Sequence, residues 1–317
     1  MSLALRLEPG RKLVNARKAA PLFTLLLLAS INAVLATIFK VRFTGTEYVF
    51  LAVSGLLALS ATYSMVRKDR RIAEAAYYAA LWVSITAILG PLTYISAALK
   101  FPLYDEELLA FDWMLGFDWL SYYGFFAQHA LVTLVFLVAY HSLLPQIVFS
   151  LIFLSNNCEG DRNEEFFWAA LISLVITVIA SGIFPAAGTF YHFNIHLDQA
   201  VHLHDFFELR NASVSEFKLG EMKGIVTFPS FHTSAALLLI YVYRRTRLFP
   251  FAFMLNIMML LSTPVFGGHY LTDMLGGGIV ALLAVFLGNR IKLYLGEIDA
   301  IEKTRKVPAS AFKRKEG

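Results

Sequence analysis

The sequence predicts an all-α protein built as a polytopic bundle of transmembrane helices. Three observations carry this expectation. Of the 317 residues, 58% are hydrophobic. Only 16% are charged, against roughly 25% in a soluble domain, so one water-soluble core cannot absorb the apolar surface. The apolar stretches also run unbroken for about 20 residues, the length a helix needs to cross the hydrocarbon layer. Barrel strands would instead alternate every second residue. An aromatic share of 15%, with 28 Phe and 14 Tyr, suits lipid-facing helices with interfacial belts.

Eight spans are expected. The N-terminus carries Arg6, Arg11, Lys12 and Arg17 before the first apolar run. That run is long and lacks a small-residue cleavage site, so it reads as an anchor and not as a cleaved signal. The first two spans cover about 19–39 and 47–66. The third, about 73–98, holds Gly90 and Pro91, a kink that neighbouring helices can tolerate. The fourth lies within 126–155 and is interrupted near Pro145. The fifth covers about 165–185, the short sixth 230–243, the seventh 248–266 and the eighth 272–294.

Basic residues orient the bundle. The N-terminus, the runs 67–71 and 244–247, and a tail with Lys303, Arg305, Lys306, Lys313, Arg314 and Lys315 all belong on the cytoplasmic side. Eight spans place them together. The loop 156–165 should lie there too, although it is acidic. Two long loops then face outward. The first, 99–125, mixes aromatic residues with Asp105, Asp112 and Asp118 and reads as an amphipathic segment at the interface. The second is 186–228. The modest net charge of +4 fits membrane anchoring and not nucleic-acid binding. The lone Cys158 excludes an internal disulfide and a multi-cysteine metal site.

Two segments can carry chemistry: 224–238, containing Pro-Ser-Phe-His, and 262–277, containing Gly-Gly-His-Tyr-Leu-Thr-Asp. His269 and Asp273 are four apart, which puts them on one helix face within hydrogen-bonding reach. A carboxylate on one imidazole nitrogen leaves the other free as nucleophile or base. His232 should reach the same outer face, because the chain runs inward from it, turns at 244–247, and returns to His269. Two imidazoles and a carboxylate at one interface suit phosphoryl transfer through a phosphohistidine. Pro229 and Ser230 would open a helix whose free N–H groups face the phosphate. Gly267 and Gly268 would let backbone approach the ligand. Arg210, Lys218 and Lys223 are the nearest cations for its oxygens.

These residues resemble the type 2 phosphatidic acid phosphatase superfamily. Its signatures are Lys-x6-Arg-Pro, Pro-Ser-Gly-His and Ser-Arg-x5-His-x3-Asp. Residues 229–232 are similar to the second, with Phe231 for the Gly; residues 262–273 are similar to the third, with Thr263 for the Arg. The first signature is missing. The departures, with the segment 102–119, resemble the inositol phosphorylceramide synthase-like (inositolphosphotransferase) branch. The resemblance spans roughly 90–290 and implies a six-helix catalytic core within 72–296. Around it would stand a cytoplasmic segment 1–18, two extra helices in 19–71 and a basic tail 297–317. It also implies His269 as nucleophile, His232 as acid and base, Asp273 as orienting carboxylate, and no metal or other cofactor. Ser230, Gly268, Arg210 and Lys223 are the expected phosphate contacts, the two cations replacing the missing Arg.

The expected substrate is a lipid phosphate or phospholipid, with a lipid or sugar hydroxyl or water as acceptor. A headgroup phosphotransferase and a metal-independent lipid phosphatase would use the same residues. Outside that chemistry, paired histidines could ligate haem, and ionisable residues within spans could mark a transport path. His202, His204 and Asp205 form a loop cluster that reads as solvated more readily than as a metal site. Tyr140 and His141 read as a buried hydrogen-bonded pair. Asn211-Ala-Ser213 matches a glycosylation sequon.

Overall fold

The computed structural model describes residues 16–157, 159–195 and 200–305. The expectations for Arg6, Arg11, Lys12, Cys158 and the end of the basic tail lie outside them. The chain is all-α and polytopic. Its helices are α1 (Ala16–Phe39), α2 (Thr46–Met65), α3 (Arg70–Ala97), α4 (Asp105–Met114), α5 (Trp119–Gln128), α6 (Ala130–His141), α7 (Leu143–Asn156), α8 (Gly160–Ile183), α9 (Thr189–His192), α10 (Val201–Asn211), α11 (Phe231–Tyr243), α12 (Phe249–Phe266) and α13 (Leu271–Arg305). Two three-residue strands, β1 (Arg42–Thr44) and β2 (Glu216–Lys218), pair in parallel, joining the α1–α2 connection to the second long loop.

Six helices among the described residues are long and apolar enough to cross a membrane: α1, α2, α3, α8, α12 and α13. Two of the eight expected spans take another form. The fourth is split into α6 and α7 at Ser142, not at Pro145. Pro145 sits in the first turn of α7, where its missing N–H costs no helical bond. The sixth, α11, has only 13 residues, about 20 Å of rise, short of the roughly 30 Å hydrocarbon layer.

At the bundle centre α8 and α13 cross closely. A Cβ at Gly288 would meet Ala169 N at 3.2 Å, so small residues set the helix spacing. On α3, Ala73, Ala76 and Ala80 are buried in the same way. By contrast α2 has no buried residue, and Phe50 and Leu51 are more than 70% exposed, as expected of a helix solvated by lipid tails.

The acidic first turns of α8 are held by cations. Arg17 pairs with Asp161 and Glu164, while Glu165 binds Arg244 and, at 2.8 Å, Lys292. One end of the bundle thus gathers both charge signs in a network. At the opposite end α5 turns 110° away from α6 and runs across it, exposing Leu120 and Phe125. The interfacial segment is there, but two of its three aspartates do not face water: Asp105 and Asp112 are buried.

Candidate active site

The site forms where α11 and α13 begin. Ser230 caps α11, its hydroxyl accepting the Thr233 N–H. Its own N–H donates to the Asp273 carbonyl at 3.0 Å, and Ser234 Oγ donates to the Gly277 carbonyl at 2.8 Å. The two sequence segments are therefore stitched together backbone to backbone. Side chains at Gly276 and Gly277 would strike Phe228, Pro229 and the Ser230 backbone, so the glycine run of α13 exists to admit the start of α11.

His269 lies between α12 and α13 and is 4% exposed. Its Nδ1 stands 3.2 Å from Asp273 Oδ2, and the same oxygen accepts the Tyr270 N–H at 2.8 Å. This contact selects the tautomer that carries its proton on Nδ1 and leaves Nε2 with a lone pair. Burial pushes the imidazole down from its ordinary value to about 4, opposed by the Thr227 carbonyl. Neutral imidazole, the form a nucleophile needs, thereby holds across physiological pH.

His232, in the first turn of α11, stacks on the Tyr140 ring with centroids 4.4 Å apart and planes 12° from parallel. Tyr140 makes no hydrogen-bonded pair with His141; the two rings meet edge to face, and His141 is exposed. His232, His269 and Tyr140 line one cavity of about 930 Å³. Lys218, Lys223 and His202 line it too.

The expected phosphate contacts do not all converge. Of the cations anticipated, Lys218 and Lys223 reach the cavity, and Lys218 pairs with Glu221 at 3.2 Å. Arg210 does not line it; its Nη2 donates to the Phe101 carbonyl at 2.8 Å and its guanidinium lies over Phe206. Ser230 is fully buried as a cap and does not face the cavity. Gly268 is behind the wall: it adopts φ +63°, a Cβ there would hit the Phe190 ring, and its carbonyl accepts the Thr189 N–H. Thr263 is buried and bonds back to the Met259 carbonyl, so it supplies no substitute for a cation.

The loop cluster divides. His204, Asp205 and Glu208 bring their ligand atoms together on one side of α10, with Asp205 accepting from Tyr94 Oη at 2.6 Å. His202 turns to the cavity instead. Burial, helped by the nearby His269 and Lys223, lowers its imidazole to about 4. The sequence carried no signal for this place of His202, because no pattern ties α10 to the two histidines.

The clamp on His269 was not foreseen. Asp112 accepts from the N–H groups of Leu271 and Thr272 and from the Thr272 hydroxyl, capping α13 from a different helix. Asp105 accepts from the N–H groups of Ala187 and Gly188 and from Tyr270 Oη. The three residues that follow His269 are thus held by two carboxylates of α4.

Residues 106–287, more than half of the chain, match the model of one protein family, the PAP2 superfamily. That stretch runs from the second residue of α4 through α12 and into the first half of α13, with every residue of the His232–His269–Asp273 constellation. No curated protein and no solved structure matches the chain.

Proposed function

Starting from the fact that this chain belongs to the PAP2 superfamily, we propose that it is a phospholipid phosphotransferase working through phosphohistidine at His269. Membership supports a lipid phosphatase or phosphotransferase function in general. The observation that carries the finer reading is the pair formed by His269 Nδ1 and Asp273 Oδ2, set in the cavity that His232 also lines.

In the first step His269 Nε2 attacks phosphorus. The bond from phosphorus to the leaving oxygen breaks, and protonated His232 gives that oxygen its proton. Asp273 stabilises the charge arising on the His269 ring. In the second step His232 takes the proton of the acceptor hydroxyl, whose oxygen attacks phosphorus while the P–N bond breaks. The ring of Tyr140 keeps His232 in one orientation between the two steps. Lys223 and His202 form the seat for the phosphate oxygens, with the positive end of α11 behind them. His202 is neutral in the empty site, and an arriving dianion favours its protonation.

The motif departures at Phe231 and Thr263 resemble the inositol phosphorylceramide synthase-like branch, and that resemblance favours headgroup transfer to a lipid or sugar hydroxyl over release to water. In the same reading the six helices from α3 onward form the catalytic core, α1 and α2 are additions to it, and the cavity opens to the non-cytoplasmic side.

The test is thin-layer chromatography of purified protein incubated with headgroup-labelled phospholipid, with and without a long-chain alcohol acceptor. A labelled product that requires the alcohol is expected. Free phosphate released equally in both cases would overturn transfer and leave the phosphatase.

A further inference from the structure

The cavity does not end at the histidines. Trp82, Leu89, Ile147 and Leu174 continue its wall below them. Trp82 is eight residues before Gly90 on α3, about 12 Å along a helix axis. The mouth is cationic and polar and the depth is apolar, the profile of an amphiphile.

A second hollow of about 720 Å³ adjoins it, between α1, α2 and α3. Glu47, Val49, Ala87 and Leu219 line both. The slot exists because α1 and α2 each pack on α3 rather than on one another. Ala29, Ala33 and Ala36, on one side of α1, leave it unfilled. Asn32 is turned to α3, donating to the Ile88 carbonyl at 2.8 Å beside the Pro91 break, so the opening carries no unpaired amide.

We propose that this slot is a binding site for a hydrocarbon chain of the phospholipid substrate, continuous with the phosphoryl-transfer cavity. The proposal rests on the phosphoryl-transfer reading and adds a substrate class to it: a lipid whose chain reaches past Ala87, and not a soluble phosphate ester. Continuity decides the occupant. A phosphate held by Lys223 and His202 leaves its apolar portion facing Leu89 and Ala87, and the path of least desolvation from there is the slot. A chain in it exchanges bilayer for protein walls and keeps its headgroup at the polar mouth. Of the residues that line the slot, only Leu219 lies within the family-matched residues 106–287.

Two measurements test it. The first compares kcat/KM for dipalmitoyl and dihexanoyl phosphatidic acid in one detergent, for the wild type and for Ala33→Trp and Val53→Trp, which line the slot but not the histidine cavity. A tryptophan that fills the slot takes away the walls a long chain packs on and leaves a short chain untouched, so the long-to-short ratio is expected to fall about tenfold. An unchanged ratio overturns the proposal. The second uses a phospholipid with a photoreactive group midway along one chain. Labels on α1, α2 and α3 slot residues, removed by excess unlabelled lipid, are expected. Labels spread over outward side chains such as Leu282, and not competed, would mean bulk lipid only; capture of a second protein would mean a partner helix; either overturns it. The failure of the catalytic reading is a separate result, because turnover of both substrates by His269→Ala would refute that reading while the chain-length ratio and the labels still report on the slot.

Discussion

At the scale of single residues the account assigns different work to three histidines, and their substitutions should separate. His232→Ala is expected to slow turnover by about 10²- to 10⁴-fold, the range of a general acid–base, with KM little altered. His202→Gln and Lys223→Ala should instead raise KM, each by about tenfold, since a hydrogen bond to a charged group is worth roughly 1.5–3 kcal/mol. Steady-state kinetics on a lipid phosphate separates the two patterns, and a fall in kcat alone for His202→Gln would remove it from the phosphate seat. The pH dependence has a definite sign. The free His269 imidazole titrates near 4 because it is buried, below the ordinary value near 6.5. Between those values the folded chain binds fewer protons than the unfolded chain, so this group costs stability as pH falls from 6.5 to 4 and costs none above. Phosphoenzyme formation from an activated aryl phosphate, which needs no acid, should keep its rate down to about pH 4; an acid limb near 6.5 would contradict the buried environment. Sequence spacing made the His269–Asp273 pair legible, although the two do not share a helix face: His269 precedes α13 and reaches Asp273 from the turn before it. It could not show Arg210 turned to Phe101 or His202 turned to the cavity, since neither follows from a periodic pattern.

At the scale of elements the unexpected component is α4. Its acidic residues read as the polar side of an interfacial segment, and its exposed Phe111, Trp113 and Met114 fit that reading. The buried Asp105 and Asp112 do not, and they bind backbone donors more than 80 residues away. A free N–H at a helix start needs an acceptor, and α13 begins directly after the Gly-Gly-His-Tyr turn with no local cap residue. Asp112 meets that need, which no local reading of residues 271–273 would reveal. Asp112→Ala should therefore destabilise the protein by about 1–3 kcal/mol, seen as a lower Tm in detergent, and should lower kcat through disorder of His269. Asp118→Ala, at the exposed cap of α5, should leave kcat unchanged. Equal effects from the two would refute a specific role for the α4 clamp. The short α11 and the division at Ser142 were only half legible: hydropathy marks where apolar residues run, but where a helix starts depends on contacts such as Ser230 with Asp273.

At the scale of the whole molecule, the bundle separates a charged end from a catalytic end. The acidic segment 156–165 contradicts a simple reading of orientation by sign, and its pairing with Arg17, Arg244 and Lys292 explains why acidic and basic residues share that end. The orientation itself has a direct check. In a Cys158→Ser background, an impermeant maleimide applied to intact cells should label Glu106→Cys and spare Arg67→Cys; both positions are exposed and lie at opposite ends. The reverse pattern would place the cavity on the cytoplasmic side. The polytopic class was legible from composition and run length alone. The part α2 takes in the cavity, and α1 in the hollow beside it, was not, because it depends on how two helices lean on a third. The central claim is that His269 carries the phosphoryl group, and the most direct measurement traps it. Protein quenched during turnover of phosphate-labelled lipid should hold acid-labile, base-stable label that mass spectrometry maps to His269, and His269→Ala should hold none. Label on another residue, or steady turnover by His269→Ala, would contradict the account.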